Sequence, residues 1–170
     1  SAMPEANGEA FVEAMGILAR LLYTQGKYEQ AHQIFEKMVA LAQQTEADGF
    51  IVKALNGLVG SYYELGNFEQ ALRLLKEIVP IARGLSDSDL LAKVLNNQAL
   101  VLQRVGDVRE AQRLFEEILV YRRASGDPPG TGLTLHNLAM VLDSRGDYVR
   151  ARQYAEEALV IWRELDDRHW

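Results

Sequence analysis

The sequence holds little of what catalysis is made from. It contains no cysteine, so it can form neither thiolate sites nor disulfides. Its three histidines, His32, His136 and His169, lie far apart, and none stands in a zinc-binding spacing such as H-E-x-x-H. Gly126–Gly132 (G-D-P-P-G-T-G) looks superficially like a phosphate loop. It lacks the closing G-K-[ST] whose lysine and hydroxyl do the work, and it follows a helical pattern instead of a strand, so it reads as a two-proline loop between repeats. Ser86–Asp89 lacks the full calcium-loop pattern and reads as a helix cap. No Ser, His and Asp grouping follows a nucleophile elbow. Neither an enzyme nor a metal or cofactor is expected. What remains is amide chemistry. Asn96 and Asn97, and forty residues later His136 and Asn137, fall inside helical patterns. Asparagine is disfavoured there, and its amide both donates and accepts hydrogen bonds.

The elements that carry these residues recur. Asn96–Ala111 returns as His136–Ala151 with seven of sixteen positions identical. The same punctuation, G-x-x-x-x-A, appears at Gly26–Ala31 and Gly66–Ala71. A fixed period in this range marks a solenoid of stacked helix pairs. Each repeat has two apolar stripes at spacings of three and four. Phe11, Met15, Leu18 and Leu22 form the first stripe; Ala31, Ile34, Phe35 and Met38 form the second. Glycine at 26, 66, 106 and 146 stops each first helix. Asn67, Asp107 and Asp147 are placed to cap the helices that follow, and Pro80 should kink or end its helix. Ala31, Ala71, Ala111 and Ala151 stand twelve positions after Ala19, Val59, Ala99 and Ala139; small against small, with Val59 the exception, lets paired helix axes approach closely.

The expected fold is all-α, eight helices in four antiparallel pairs. The array spans residues 9–165, with repeats at about 9–49, 50–89, 90–129 and 130–165, and tails at 1–8 and 166–170. Ser1-Ala2 before Met3 reads as the remnant of a cleaved expression tag. A net charge of −6 with dispersed Lys and Arg argues against nucleic acid. No apolar run approaches the ~18 residues of a membrane span, no signal peptide is evident, and the default location is cytoplasmic.

The pattern resembles the tetratricopeptide repeat family over nearly the whole chain. Its positions read Leu58, Val59, Tyr62, Gly66, Phe68, Ala71, Leu75 and Ile78 in the second repeat. In the fourth they read Leu138, Ala139, Leu142, Gly146, Tyr148, Ala151, Ala155 and Ala158. The period is longer than the family's common repeat of about 34. The longer form is similar to the repeats of kinesin light chains, spindle-orientation adaptors and the sensor arms of bacterial regulators and related ATPases.

The resemblance implies a right-handed α-solenoid that acts as a protein-interaction scaffold, with a peptide or helix bound in its concave groove. It places Lys53, Asn56, Tyr63 and Glu64, then Lys93, Asn96, Asn97, Leu100 and Arg104, then His136, Asn137 and Met140, on that face. Asn97 and Asn137 match the position whose amide holds a ligand's backbone in family members. The alternative use of these amides is to bond neighbouring helices and organise the stack. Lys53, Lys93 and Arg104 would suit an acidic peptide or C-terminal carboxylate, but Gly16 and Ile17 stand where the chaperone-binding carboxylate clamp has polar residues. No polar capping helix follows the fourth repeat, which suggests either a piece of a longer array or an end covered by another copy. Two further readings follow: self-association, for example a homodimer, through ends bearing Phe11, Met15 and Leu18 or Leu159, Trp162 and Trp170; or the sensor arm of a larger regulator.

Overall fold

Gly106 sets the pattern for the joints. Its φ of 94° lies in the left-handed region that side chains other than glycine rarely adopt. Asp107 N–H then reaches back to Leu102 C=O at 2.9 Å, closing the helix end. Gly26, Gly66, Gly126 and Gly146 repeat the same turn.

The computed structural model describes residues 5–44 and 48–167. Among them lie eight helices and no strand: α1 (Glu5–Thr24), α2 (Tyr28–Ala42), α3 (Asp48–Glu64), α4 (Phe68–Gly84), α5 (Ser88–Val105), α6 (Val108–Ala124), α7 (Pro128–Ser144) and α8 (Tyr148–Asp167). The helices at both termini extend a few residues beyond the expected array. His169, Trp170, Ser1 and Ala2 lie outside the described residues.

The helices form two compact units that divide between Ser86 and Asp87. In unit one, α2 packs on α1 and α3, and α3 packs on α4. In unit two, α6 packs on α5 and α7, and α7 packs on α8. The small residues predicted for close pairing, Ala19 with Ala31, Ala99 with Ala111 and Ala139 with Ala151, are all buried, and so are Ala71 and the exception, Val59. Phe115, Leu95, Ile118 and Leu135 fill unit two, and Leu75, Ile78, Val52 and Val59 fill unit one.

Four local expectations are corrected. Phe11 and Leu18 do not belong to the core: α1 buries Val12 and Ala19 instead, leaving both larger side chains exposed. Pro80 neither ends nor interrupts α4, which continues to Gly84. The proline lies on the exposed face, where water can take the Lys76 carbonyl it frees. Pro128–Gly132 is helix, not loop. The prolines occupy the first turn, where missing N–H donors cost nothing, and Asp127 caps the turn by accepting from Gly130 N–H at 3.0 Å. Asn67 takes its cap position without a side-chain bond, whereas Asp107 and Asp147 accept from Glu110 and Arg150 N–H. The α4–α5 joint differs from its neighbours. Leu85 there is extended, and Asp87 caps α5 through Leu90 N–H.

Candidate functional site

In unit two, two first helices carry the amides. On α5, Lys93, Asn96, Asn97, Leu100 and Arg104 recur at helical spacing. On α7, His136, Asn137 and Met140 do the same. One hydrogen bond ties the two sets: Asn137 Nδ2 donates to Asn96 Oδ1 at 3.3 Å. Both residues are half-buried. The stack-organising use of Asn137 is therefore realised, with Asn96 as its partner. A pair joined this way spends one donor and one acceptor. Asn96 Nδ2 and Asn137 Oδ1 keep hydrogen-bonding capacity for a third group.

Apolar side chains flank the pair. Leu100 is half-buried one turn beyond Asn96, and Met140 is exposed beyond Asn137. Leu133 is exposed one turn before Asn137 and belongs to the same surface. Sequence reading missed Leu133, although it stands forty residues after Lys93 and the repeat period pointed to it. His136 is exposed beside Asn137.

Lys93 is committed elsewhere. Its ammonium sits 2.5 Å from Asp89, one turn earlier on α5. Asp89 also meets Arg122 of α6 at 2.6 Å, and Arg122 meets Asp127 at 2.7 Å. The chain Lys93–Asp89–Arg122–Asp127 thus joins the start of α5, the end of α6 and the cap of α7. The hydrogen bond from Lys93, with help from Arg122, holds the Asp89 carboxyl below the usual carboxylate range against partial burial. The four-residue spacing of Asp89 and Lys93 was legible in the sequence as an ion pair.

In unit one, the candidate residues lie on α3. Lys53 is exposed, with Nζ 5.7 Å from the centre of the Phe50 ring. Asn56 is half-buried. Tyr63 is half-buried and packs edge-on against Phe68 at 5.9 Å. Glu64 accepts from Tyr23 Oη at 2.8 Å, which makes it part of the α1–α3 joint. Among the described residues, no three His, Asp or Glu side chains come together as a metal site would require. No helix there is long and apolar enough to cross a membrane.

A family profile described as tetratricopeptide repeat matches residues 50–124 and again 90–164, and a second of the same description matches 12–47. Among solved structures, the nearly identical TPR-like repeats of a kinesin light chain-like protein from Podosopora anserina align over 90% of this chain and 75% of that one. Their TM-score is 0.74 at 21% identity. A Rap protein solved with the competence and sporulation factor aligns over 92% of this chain and 45% of its own, with a TM-score of 0.83 at 17% identity. PlcR of Bacillus thuringiensis, solved with the peptide PapR7 and DNA, aligns over 92% of this chain and 56% of its own, with a TM-score of 0.77 at 17% identity. This chain therefore spans about half the length of each of those two proteins. At these identities the likeness is one of fold. No curated protein matches the sequence significantly.

Proposed function

Because the chain belongs to the tetratricopeptide repeat family, we propose that it is a non-enzymatic protein-interaction module. Its α5–α7 face in unit two takes a peptide segment or a helix. The half-buried Asn96–Asn137 pair carries the reading. An extended peptide presents backbone N–H and C=O groups in alternation. The donor left on Asn96 and the acceptor left on Asn137 match that pattern whatever the peptide's side chains. Leu133, Leu100 and Met140 then supply apolar contact on either side. With Lys93 bound to Asp89, recognition rests on backbone and apolar groups more than on ligand acidity. PlcR, solved with a peptide, offers a precedent on a related fold. The cysteine-free composition fits a cytoplasmic setting.

The test is a peptide selected from a displayed random library against the folded chain, titrated onto variants. Asn137→Ala and Met140→Glu should each weaken binding about tenfold or more, a loss of ~1.4 kcal/mol or greater. Arg152→Ala, on α8, should leave it unchanged. Undiminished binding by both α7 variants, with helicity intact, would place the ligand elsewhere. A second reading, the sensing arm of a larger bacterial regulator, draws on the likeness to Rap and PlcR. It would use the same face.

A further inference from the structure

The Glu64 carboxylate is bonded but not neutralised. It is exposed near the end of α3 and accepts from the Tyr23 hydroxyl of α1 at 2.8 Å. Among the described residues no Lys, Arg or His pairs with it. Arg20 and Lys27, which flank Tyr23 in the sequence, are exposed and do not bond to it. A hydroxyl occupies one lone pair of a carboxylate and leaves its charge in place. Gly60, one turn before Glu64, adds space. A Cβ there would meet only the Tyr23 side chain, its ring at 3.7 Å and its hydroxyl at 3.9 Å. The result is a notch on α3 with a glycine floor, a half-buried tyrosine as one wall and a carboxylate on the rim.

The repeat shows that the helix end does not need these groups. Forty residues after Gly60 and Glu64 stand Leu100 and Arg104, and forty further stand Met140 and Ser144. Both of those helices close at the same left-handed glycine turn as α3 does. The surroundings of the notch are acidic as well. Burial and the hydrogen bond to Glu64, then the hydroxyls of Tyr28 and Tyr63, push the Tyr23 phenol above the usual tyrosine range. A carboxylate beside an aromatic wall suits a flat cation. A guanidinium can lie on the ring while its N–H groups point at the acid.

We propose that the Gly60 notch binds an arginine side chain of a protein partner, with the guanidinium on the Tyr23 ring and its N–H groups directed at Glu64. Arginine suits it better than lysine because the notch offers an aromatic surface as well as a charge. The chain's net charge of −6 adds a long-range attraction for basic segments. All groups of the notch belong to unit one, and none belongs to the α5–α7 face.

Titrating the whole chain with a blocked arginine amide, followed by nuclear magnetic resonance, tests this. The probe should shift the Gly60 and Glu64 amides and the Tyr23 ring protons saturably, and the isosteric blocked citrulline amide should not. Glu64→Gln should weaken the probe about tenfold, the order expected when a charge-assisted bond becomes a neutral one. Gly60→Leu installs the residue type found at the counterpart position Leu100. It should abolish the shifts while circular dichroism shows full helicity. Tyr23→Phe keeps the ring and frees a carboxylate oxygen, so it should bind at least as well as the wild type. The proposal is overturned by a wild type without saturable shifts, or by an equal response to citrulline or lysine amide. Undiminished binding by Glu64→Gln or by folded Gly60→Leu would overturn it too, as would a loss in Tyr23→Phe equal to that in Glu64→Gln. Asn137→Ala should leave this titration unchanged, so the notch and the α5–α7 face can fail separately.

Discussion

In unit two, Asp87, Asp107, Asp127 and Asp147 each accept a backbone N–H at the start of a helix. Among the described residues of unit one, the matching positions Lys27 and Asn67 make no side-chain cap bond. Aromatic rings hold those joints instead. Tyr23 packs edge-on against Tyr28 at 5.3 Å, His32 against Tyr62 at 4.7 Å and Tyr63 against Phe68 at 5.9 Å. Burial, and then its hydrogen bond to Glu64, pushes the Tyr23 phenol above the usual tyrosine range. Unit two ties its helices with ion pairs, such as Arg150 to Glu116 and Arg123 to Glu157. The same pairing of helices is thus reached through directional caps and charges in one unit, and through rings and a bare backbone turn in the other. The backbone turn at glycine is the shared requirement, and the side chains around it are interchangeable means of support.

The comparison can be broken first in the cores. Phe115 is completely buried, so Phe115→Ala should cost about 3–5 kcal/mol. Phe35→Ala, at the half-buried counterpart position two repeats earlier, should cost distinctly less. Equal losses in denaturant melts would show that the two cores are packed alike. The caps come next. Asp127→Ala removes the α7 cap and one partner of Arg122, and should cost about 1–2 kcal/mol. Asn67→Ala has no side-chain cap bond to lose and should stay within about 0.5 kcal/mol. A comparable loss for Asn67→Ala would give unit one the same capping chemistry as unit two. The smallest effect is electrostatic. The Asp89 carboxyl titrates lower in the folded chain than when unfolded, so its contribution is present above the ordinary carboxylate value of ~3.9. It is lost as pH falls through the folded value. Water screens this exposed cluster, so the contribution stays at about 0–1 kcal/mol. Asp89→Asn should flatten the acid limb of unit two's stability, read by amide exchange, and leave that of unit one untouched.

Much of this was legible because period and turn chemistry are local. Gly106, Asp107 and Ala111 announced a helix end, a cap and a close contact, and each holds that role. The misreadings share one cause: what surrounds a residue is not written beside it. Pro80 is tolerated because its freed carbonyl faces water, and Pro128 and Pro129 because the first turn needs no donor. Phe11 and Leu18 have the spacing of core residues, yet the smaller Val12 and Ala19 face the neighbouring helices. The division at Ser86 interrupts no hydrophobic pattern. Its local trace is that Ser86 stands where the period has Gly126 one repeat later. For the site, sequence picked the amides and offered their bonding between neighbouring helices, with Asn97 named in place of its neighbour Asn96. Asn137 meets Asn96, because neighbouring helices are offset by one residue from the repeat.

Gly106, Gly126 and Gly146 stand at strict twenty-residue intervals, each in the same left-handed turn and each followed by an aspartate cap. In unit two, then, the joint inside a helix pair and the joint between pairs are chemically alike. A gene segment of forty codons, duplicated in frame with its ends at two such glycines, would splice one helix stop to one helix start with no foreign junction. Lengthening or shortening the chain by whole steps would need no new turn to evolve.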